Sequence, residues 1–193
     1  MSGPYITNAG TFLVSTFFGL YILAVLLRFL FQLVRADFYN PISQFLVKIT
    51  NPPLRPLRSW VPGIGGVDLP SIVLMLVLKM LEMWLVALIG GYATGFGGLL
   101  VLAIAGLLQL VLHVFLFAIL IQVILSWFAP GSYNYMTSLL YSLTEPLLRP
   151  ARRLLPPIGG LDLSPLVVLI ILQLVSMLLI APLRDLGSAL LLA

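Results

Sequence analysis

Along this chain, hydrophobic stretches long enough to cross a bilayer alternate with shorter segments in which prolines, glycines and arginines collect. Residues 12–34 form the first apolar run, and Arg28 and Gln32 are its only strongly polar side chains. Further runs cover 69–89, 99–128 and 163–182. A span needs about 20 mostly apolar residues, so four are expected. The third run would be about 45 Å long as a single helix, against a hydrocarbon core of roughly 30 Å, and must tilt, kink or begin outside it. Between runs the period changes. Ile42, Phe45, Leu46 and Ile49 fall at i, i+3, i+4 and i+7, and Met136, Leu139, Leu140 and Leu143 repeat that spacing. The pattern predicts two short amphipathic helices that lie in the interface, the first opened by Asn40-Pro41. Pro52, Pro53, Pro56 and Pro62, with Gly63, Gly65 and Gly66, are expected to break any continuous helix beyond them. The fourth span is expected to end near Pro182, ahead of Arg184, Asp185 and a short apolar tail.

The polar segment occurs twice. Residues 50–69 slide onto 144–163 with a shift of 94 and no gap, bringing Thr50, Pro52, Leu54, Arg55, Pro56, Arg58, Pro62, Ile64, Gly65, Gly66, Asp68 and Leu69 onto identical residues. Such self-similarity marks a duplication. The repeat unit reads as span, hinge, span. The first copy is 1–98 (span 12–34, hinge 35–68, span 69–89, linker 90–98) and the second is 99–193 (span 99–128, hinge 129–162, span 163–182, tail). The expected fold is an all-α membrane protein, with four transmembrane helices as two parallel repeats of helix, amphipathic interfacial hinge, helix. Composition agrees, because 61% of residues are hydrophobic and only 8% charged, where a soluble domain carries about 25% charged. The N-terminal residues lack the basic region and cleavage site of a signal peptide, so the first run reads as a retained span.

The net charge of +4 is modest, and the placement of its cations is what informs. Seven of ten Lys and Arg residues (Arg35, Lys48, Arg55, Arg58, Arg149, Arg152, Arg153) lie in the hinges, and none lies in the N-terminal segment or the 90–98 linker. Positive charge stays in the cytoplasm. Both hinges are therefore expected at the cytoplasmic face of the inner membrane, with both termini opposite and a pseudo-twofold axis along the membrane normal.

Candidate chemistry is sparse. There is no cysteine, His113 is the only histidine and reads as a packing residue, and the Gly-Ile-Gly-Gly stretch lacks the Lys-Ser/Thr and preceding strand of a phosphate loop. Ser126 beside Trp127 has no nucleophile motif around it. No catalytic residue, metal or cofactor is expected, nor a nucleic-acid partner. Trp60, Trp84 and Trp127 suit interfacial belts. Inside the apolar runs, Lys79 and Glu82 lie three apart on one helical face, and charge at such depth is costly and by default functional. The shift of 94 sets Lys79 opposite Gln173, Glu82 opposite Ser176 and Arg28 opposite Gln122. These six side chains could form one polar seam. It reads either as an ion or proton path with Glu82 as its titratable or cation-coordinating group, or as a neutralised Lys79–Glu82 or Arg28–Glu82 pair with the glutamines as interhelical glue. Arg55, Arg58, Arg149, Arg152 and Arg153 on the hinges suit anionic phospholipid headgroups at about 1 kcal/mol per cation, or a docking partner. Asp68 and Asp162 are placed to cap the spans that follow them.

The repeated T-x-P-x-L-R-P-x-R-x-x-x-P-x-x-G-G-x-D-L, with D-F-Y-N-P at 37–41 and L-S-W-F at 125–128, resembles the YggT (YlmG-like) family of small bacterial and plastid membrane proteins. The likeness covers essentially the whole chain. It implies no enzymatic activity. Instead it implies a role in osmotic tolerance and ion uptake, or as a scaffold for cell division, nucleoid placement or assembly of membrane complexes. It supplies no agreed site residues, and a homo-oligomer or a membrane-protein partner fits either role.

Overall fold

The computed structural model describes residues 4–63, 65–128, 134–154 and 162–192, and every element among them is helical. In chain order these are α1 (Pro4–Leu33), α2 (Pro41–Trp60), α3 (Leu69–Gly90), α4 (Phe96–Phe128), α5 (Tyr135–Leu154), α6 (Ser164–Val175), a π-helical turn (Ser176–Ile180) and α7 (Ala181–Leu192). The last three run on as one rod, so four helices are long and apolar enough to cross a bilayer: Tyr5–Leu33, Leu69–Gly90, Phe96–Phe128 and Ser164–Leu191. Large apolar side chains such as Phe12, Phe17, Phe117, Leu166 and Leu178 stand exposed on their flanks. That is the surface lipid would cover.

Pro52, Pro53 and Pro56 do not break their helix, which ends at Trp60, ahead of Pro62 and Gly63. α2 continues through Pro52, Pro53 and Pro56, and α5 through Pro146 and Pro150. A proline is disruptive in part through the carbonyl it leaves without a donor, and at the paired Pro52-Pro53 one such carbonyl is supplied from outside. Pro53 cannot serve Ile49 O at i+4 and Pro52 cannot serve it at i+3. The Tyr21 hydroxyl of α1 donates to Ile49 O at 3.2 Å instead. The second copy shows the converse: Leu147 replaces Pro53 and keeps its N–H, and Phe115, without a hydroxyl, replaces Tyr21. Tyr21→Phe is therefore expected to destabilise the protein by about 0.5–1.5 kcal/mol, the usual net worth of one hydrogen bond, here to a part-buried acceptor. Equilibrium unfolding in mixed micelles measures it, and Phe115→Tyr, which meets no freed carbonyl, should bring no matching gain.

The buried stripe of α2 is also rotated from the expected one. Ser43, Leu46, Thr50 and Leu54 face inward, whereas Phe45 is 60% exposed. On α5 the inward residues are Thr137, Leu139, Leu143, Thr144, Leu148 and Ala151, and Met136 is exposed. Thr50 and Thr144 turn inward because Arg28 and Gln122 of the spans await them, and the bulkier apolar residues are left to the interface.

The fourth span does not stop at Pro182. It widens by one π turn, in which the Ala181 N–H reaches back to Ser176 O, and continues to Leu192. The wider turn makes room for the proline ring. Arg184 and Asp185 thus sit within the helix rather than beyond it.

Within each half the spans pack as pairs, α1 on α3 and α4 on the fourth span, with α2 and α5 bridging them at one end. Asn40 Nδ2 donates to Tyr135 O at 2.7 Å, tying the two hinge helices together. Ile22, Val25, Leu26 and Leu30 of α1 form the main core with Leu54, Leu74, Met75, Ala118 and Leu143. The two halves meet through α3 against α4. A twofold axis would bring the fourth span equally close to α1, and among the described residues no comparable approach exists. The fourth span faces α1 across a cavity instead.

Candidate functional site

Equivalent polar contacts are built twice, 94 residues apart. Arg28 Nη1 donates to Thr50 Oγ1 at 2.8 Å, and Thr50 in turn donates to Leu46 O. In the second copy the Gln122 side chain hydrogen-bonds the Thr144 hydroxyl, which sits on Leu140 O. All of these hydroxyls are buried. The hinge ends match too: Arg58 Nη2 meets Asp68 Oδ2 at 2.9 Å and Arg152 Nε meets Asp162 Oδ2 at 2.9 Å. The two copies then diverge. Arg152 reaches a second carboxylate, Glu145, at 3.0 Å, and the equivalent of Glu145 is Asn51.

The two aspartates cap differently. Asp162 accepts the Ser164 N–H at 2.9 Å, a direct amide cap. Burial pushes its carboxyl up, but hydrogen bonding from Ser164 and the Arg152 guanidinium outweighs that and holds it below the ordinary aspartate range. Asp68 makes no side-chain bond to a backbone amide of α3. Pro70 removes the amide that Ser164 offers in the other copy, and Asp68 Oδ2 takes the Ser71 hydroxyl at 2.7 Å together with Arg58.

Deeper in the spans, Lys79 Nζ holds both oxygens of Glu82, at 3.0 and 2.8 Å. Of the two pairings open from sequence, this is the one formed, since Arg28 lies nearer the hinge end on Thr50. Glu82 is 6% exposed. Gly106 of α4 gives the lysine its room, because a Cβ there would lie 3.1 Å from Lys79 Cε. At the equivalent place in the second copy, the Ser176 hydroxyl donates to Gln109 Oε1 at 2.9 Å, and Gln109 Nε2 lies 3.0 Å from His113 Nε2. Lys79, Gln109, His113 and Arg184 line one cavity of about 230 Å³ between α1, α3, α4 and α7. Glu82 lines another, of about 610 Å³, that reaches Tyr92 and Thr94 at the end away from the hinges.

The six residues expected as one seam therefore separate. Arg28 and Gln122 each serve their own hinge, Lys79, Glu82 and Ser176 lie around mid-span, and Gln173 faces outward. Arg55, Arg149 and Arg153 are exposed on the hinge helices. Sequence reasoning missed Thr50, Thr144, Gln109, Arg184 and the Asn51/Glu145 divergence. For Thr50 and Thr144 a signal existed, since they are identical across the repeat. Gln109 was signalled only by its position opposite Ser15, which lines the Glu82 cavity. Among the described residues no cluster of three His, Asp or Glu side chains is set to hold a metal.

Two stretches, residues 7–89 and 101–183, each match the CCB3/YggT family. The chain belongs to that family. YggT-family relatives cover most of it. A protein of Pseudomonas aeruginosa is 50% identical over 179 residues, 91% of this chain and 90% of its own length. A Vibrio alginolyticus protein encoded in the region 3′ of proC is 42% identical, over 86% of this chain and 90% of its own. YggT of Escherichia coli K12 is 38% identical, over 88% of each. All three carry the description uncharacterized. No solved structure matches the chain.

Proposed function

We propose that this YggT-family protein is a non-enzymatic component of ion and osmotic homeostasis in the cytoplasmic membrane, with hinges inside and both termini outside, and with an ion or proton path through Lys79 and Glu82. The observation that carries this reading is the position of Glu82 between two cavities. On one side it lines the space toward Tyr92 and Thr94, and on the other its partner Lys79 lines the space shared with Gln109, His113 and Arg184. A cation or proton arriving at Glu82 competes with Lys79 for the carboxylate. The released ammonium then has Gln109 and His113 as alternative partners, so the pair has two arrangements that occupancy can bias. Between this layer and the hinge end stand Ile22, Val25, Leu26, Leu74 and Met75, an apolar plug that conduction must open.

The test is flux. Purified protein in liposomes is expected to pass potassium or protons, and Glu82→Gln, which keeps shape but not charge, is expected to lower the rate by about 10²-fold or more, as for other positioned proton-transfer groups. Equal flux through both proteins would leave the pair a packing device. A second reading, a scaffold for membrane-complex assembly, draws on the exposed Arg55, Arg149 and Arg153 along α2 and α5. It gains ground if flux is absent while charge reversal of these arginines abolishes complex formation.

A further inference from the structure

At the hinge end each copy of the repeat encloses a cavity, and the two are equivalent by the shift of 94. The first, about 810 Å³, is lined by Arg28, Gln32, Arg58 and Asp68. The second, about 390 Å³, is lined by Gln122, Ser126, Arg152 and Asp162, the same four positions. Their charges differ. The first cavity gathers three arginines, Arg28, Arg35 and Arg58, around one carboxylate, Asp68. The second has Gln122 in place of Arg28, and the one arginine among its described lining residues, Arg152, is held by two carboxylates, Asp162 and Glu145. Where Glu145 neutralises, the first copy has Asn51, a neutral amide that lines the cavity.

Three further observations say that something anionic belongs in the first cavity. Arg28 is only 7% exposed, and its one hydrogen bond goes to a hydroxyl, with no carboxylate in ion-pair reach among the described residues. A buried guanidinium has five N–H donors to satisfy and a large desolvation cost to offset. Ser43 Oγ, which lines the same cavity, is buried with no hydrogen-bond partner among the described residues. Arg35 adopts φ 54°, a left-handed conformation rare outside glycine, at the turn that ends α1, where the Ala36 N–H returns to Phe31 O. That turn carries the third arginine onto the rim.

We infer that the first-copy cavity is a phosphate-binding site: Arg28 and Ser43 donate from its floor, Arg35, Arg58 and Asn51 from its walls, and the second-copy cavity has lost the capacity through Gln122 and Glu145. The ligand chemistry is a phosphate mono- or diester, matched to planar guanidinium donors. It is carried either by an anionic lipid headgroup at the interface or by a free soluble phosphate.

The experiment uses full-length protein in a maltoside detergent, which carries no phosphate of its own. Calorimetry is run separately with orthophosphate and with short-chain phosphatidylglycerol, using short-chain phosphatidylcholine as the zwitterionic reference. One saturable equivalent is expected. Orthophosphate binding identifies a soluble ligand, and binding of phosphatidylglycerol alone identifies a headgroup. Arg28→Gln, which copies the second cavity, and Asn51→Glu, which supplies the missing neutralising carboxylate at a partly exposed position, are each expected to weaken binding by about ten- to hundredfold. Arg152→Gln in the other copy should leave it unchanged. Should Arg28→Gln fail to fold, Asn51→Glu decides. No saturable binding of either probe, wild-type affinity in Asn51→Glu, or an equal loss in Arg152→Gln overturns the assignment.

Discussion

Replacing Glu82 by leucine is expected to destabilise the protein by about 3–5 kcal/mol, the usual consequence of removing one partner of a buried ion pair. The loss arises less from the missing attraction than from the ammonium left behind. Lys79 lies ten residues from the start of α3 and eleven from its end, about 15–17 Å along the helix axis from either terminus, and Gly106 closes over its stem. An unpaired cation there is left with Gln109 and His113 of its cavity in place of a carboxylate. Lys79→Met in the Glu82→Leu background should recover most of the stability, because two apolar side chains of similar volume remove the desolvation cost along with the attraction. A double-mutant cycle by equilibrium unfolding in mixed micelles reads both numbers. A single Glu82→Leu change costing under about 1 kcal/mol would mean that the pair is solvated and the cavities around it are wet.

The next largest effect is expected where α4 meets the fourth span. A Cβ on Gly98 would lie 2.7 Å from the Leu191 side chain and equally close to its backbone nitrogen, so relief requires the helices to part. Gly98→Val is therefore expected to cost at least about 1–3 kcal/mol of overpacking. Gly97, one residue away, has nothing within 4 Å, and Gly97→Ala should be neutral or gain about 0.5–1 kcal/mol from reduced backbone entropy in the unfolded chain. The natural chain contains no cysteine, so a single engineered pair across this contact reports the spacing without background. Loss of cross-linking in Gly98→Val but not in Gly97→Ala is the expected result.

Much of this architecture could be read from residue pattern. The four apolar runs fall where the spans are, and the shift of 94 relates contacts as well as residues, although those contacts were not foreseen: Arg28 with Thr50 and Gln122 with Thr144 are one interaction made twice. Other features could not be read, for reasons that are local. Prolines 52, 53 and 56 look like helix breakers because the rule assumes that no other donor is at hand, and the Tyr21 hydroxyl arrives from 28 positions earlier in the chain. The single polar seam failed because equivalence under a tandem repeat means occupying the same place in each half, which is different from touching. Gln173 shows this most plainly: it aligns with Lys79 and yet points outward. The rotation of α2 was hidden because Ser43 and Thr50 count as polar on any scale, and the inward orientation of Thr50 depends on Arg28, carried by α1.

The unequal cavities bear on how a duplicated gene keeps both of its halves. Two copies of the first half would place a second buried guanidinium where Gln122 now stands, and two copies of the second would have neither the mid-span ion pair nor the arginine cluster. The halves have become complementary specialists, one holding the costly charges and the other the neutral frame against which they are held, so neither can be discarded in favour of its twin.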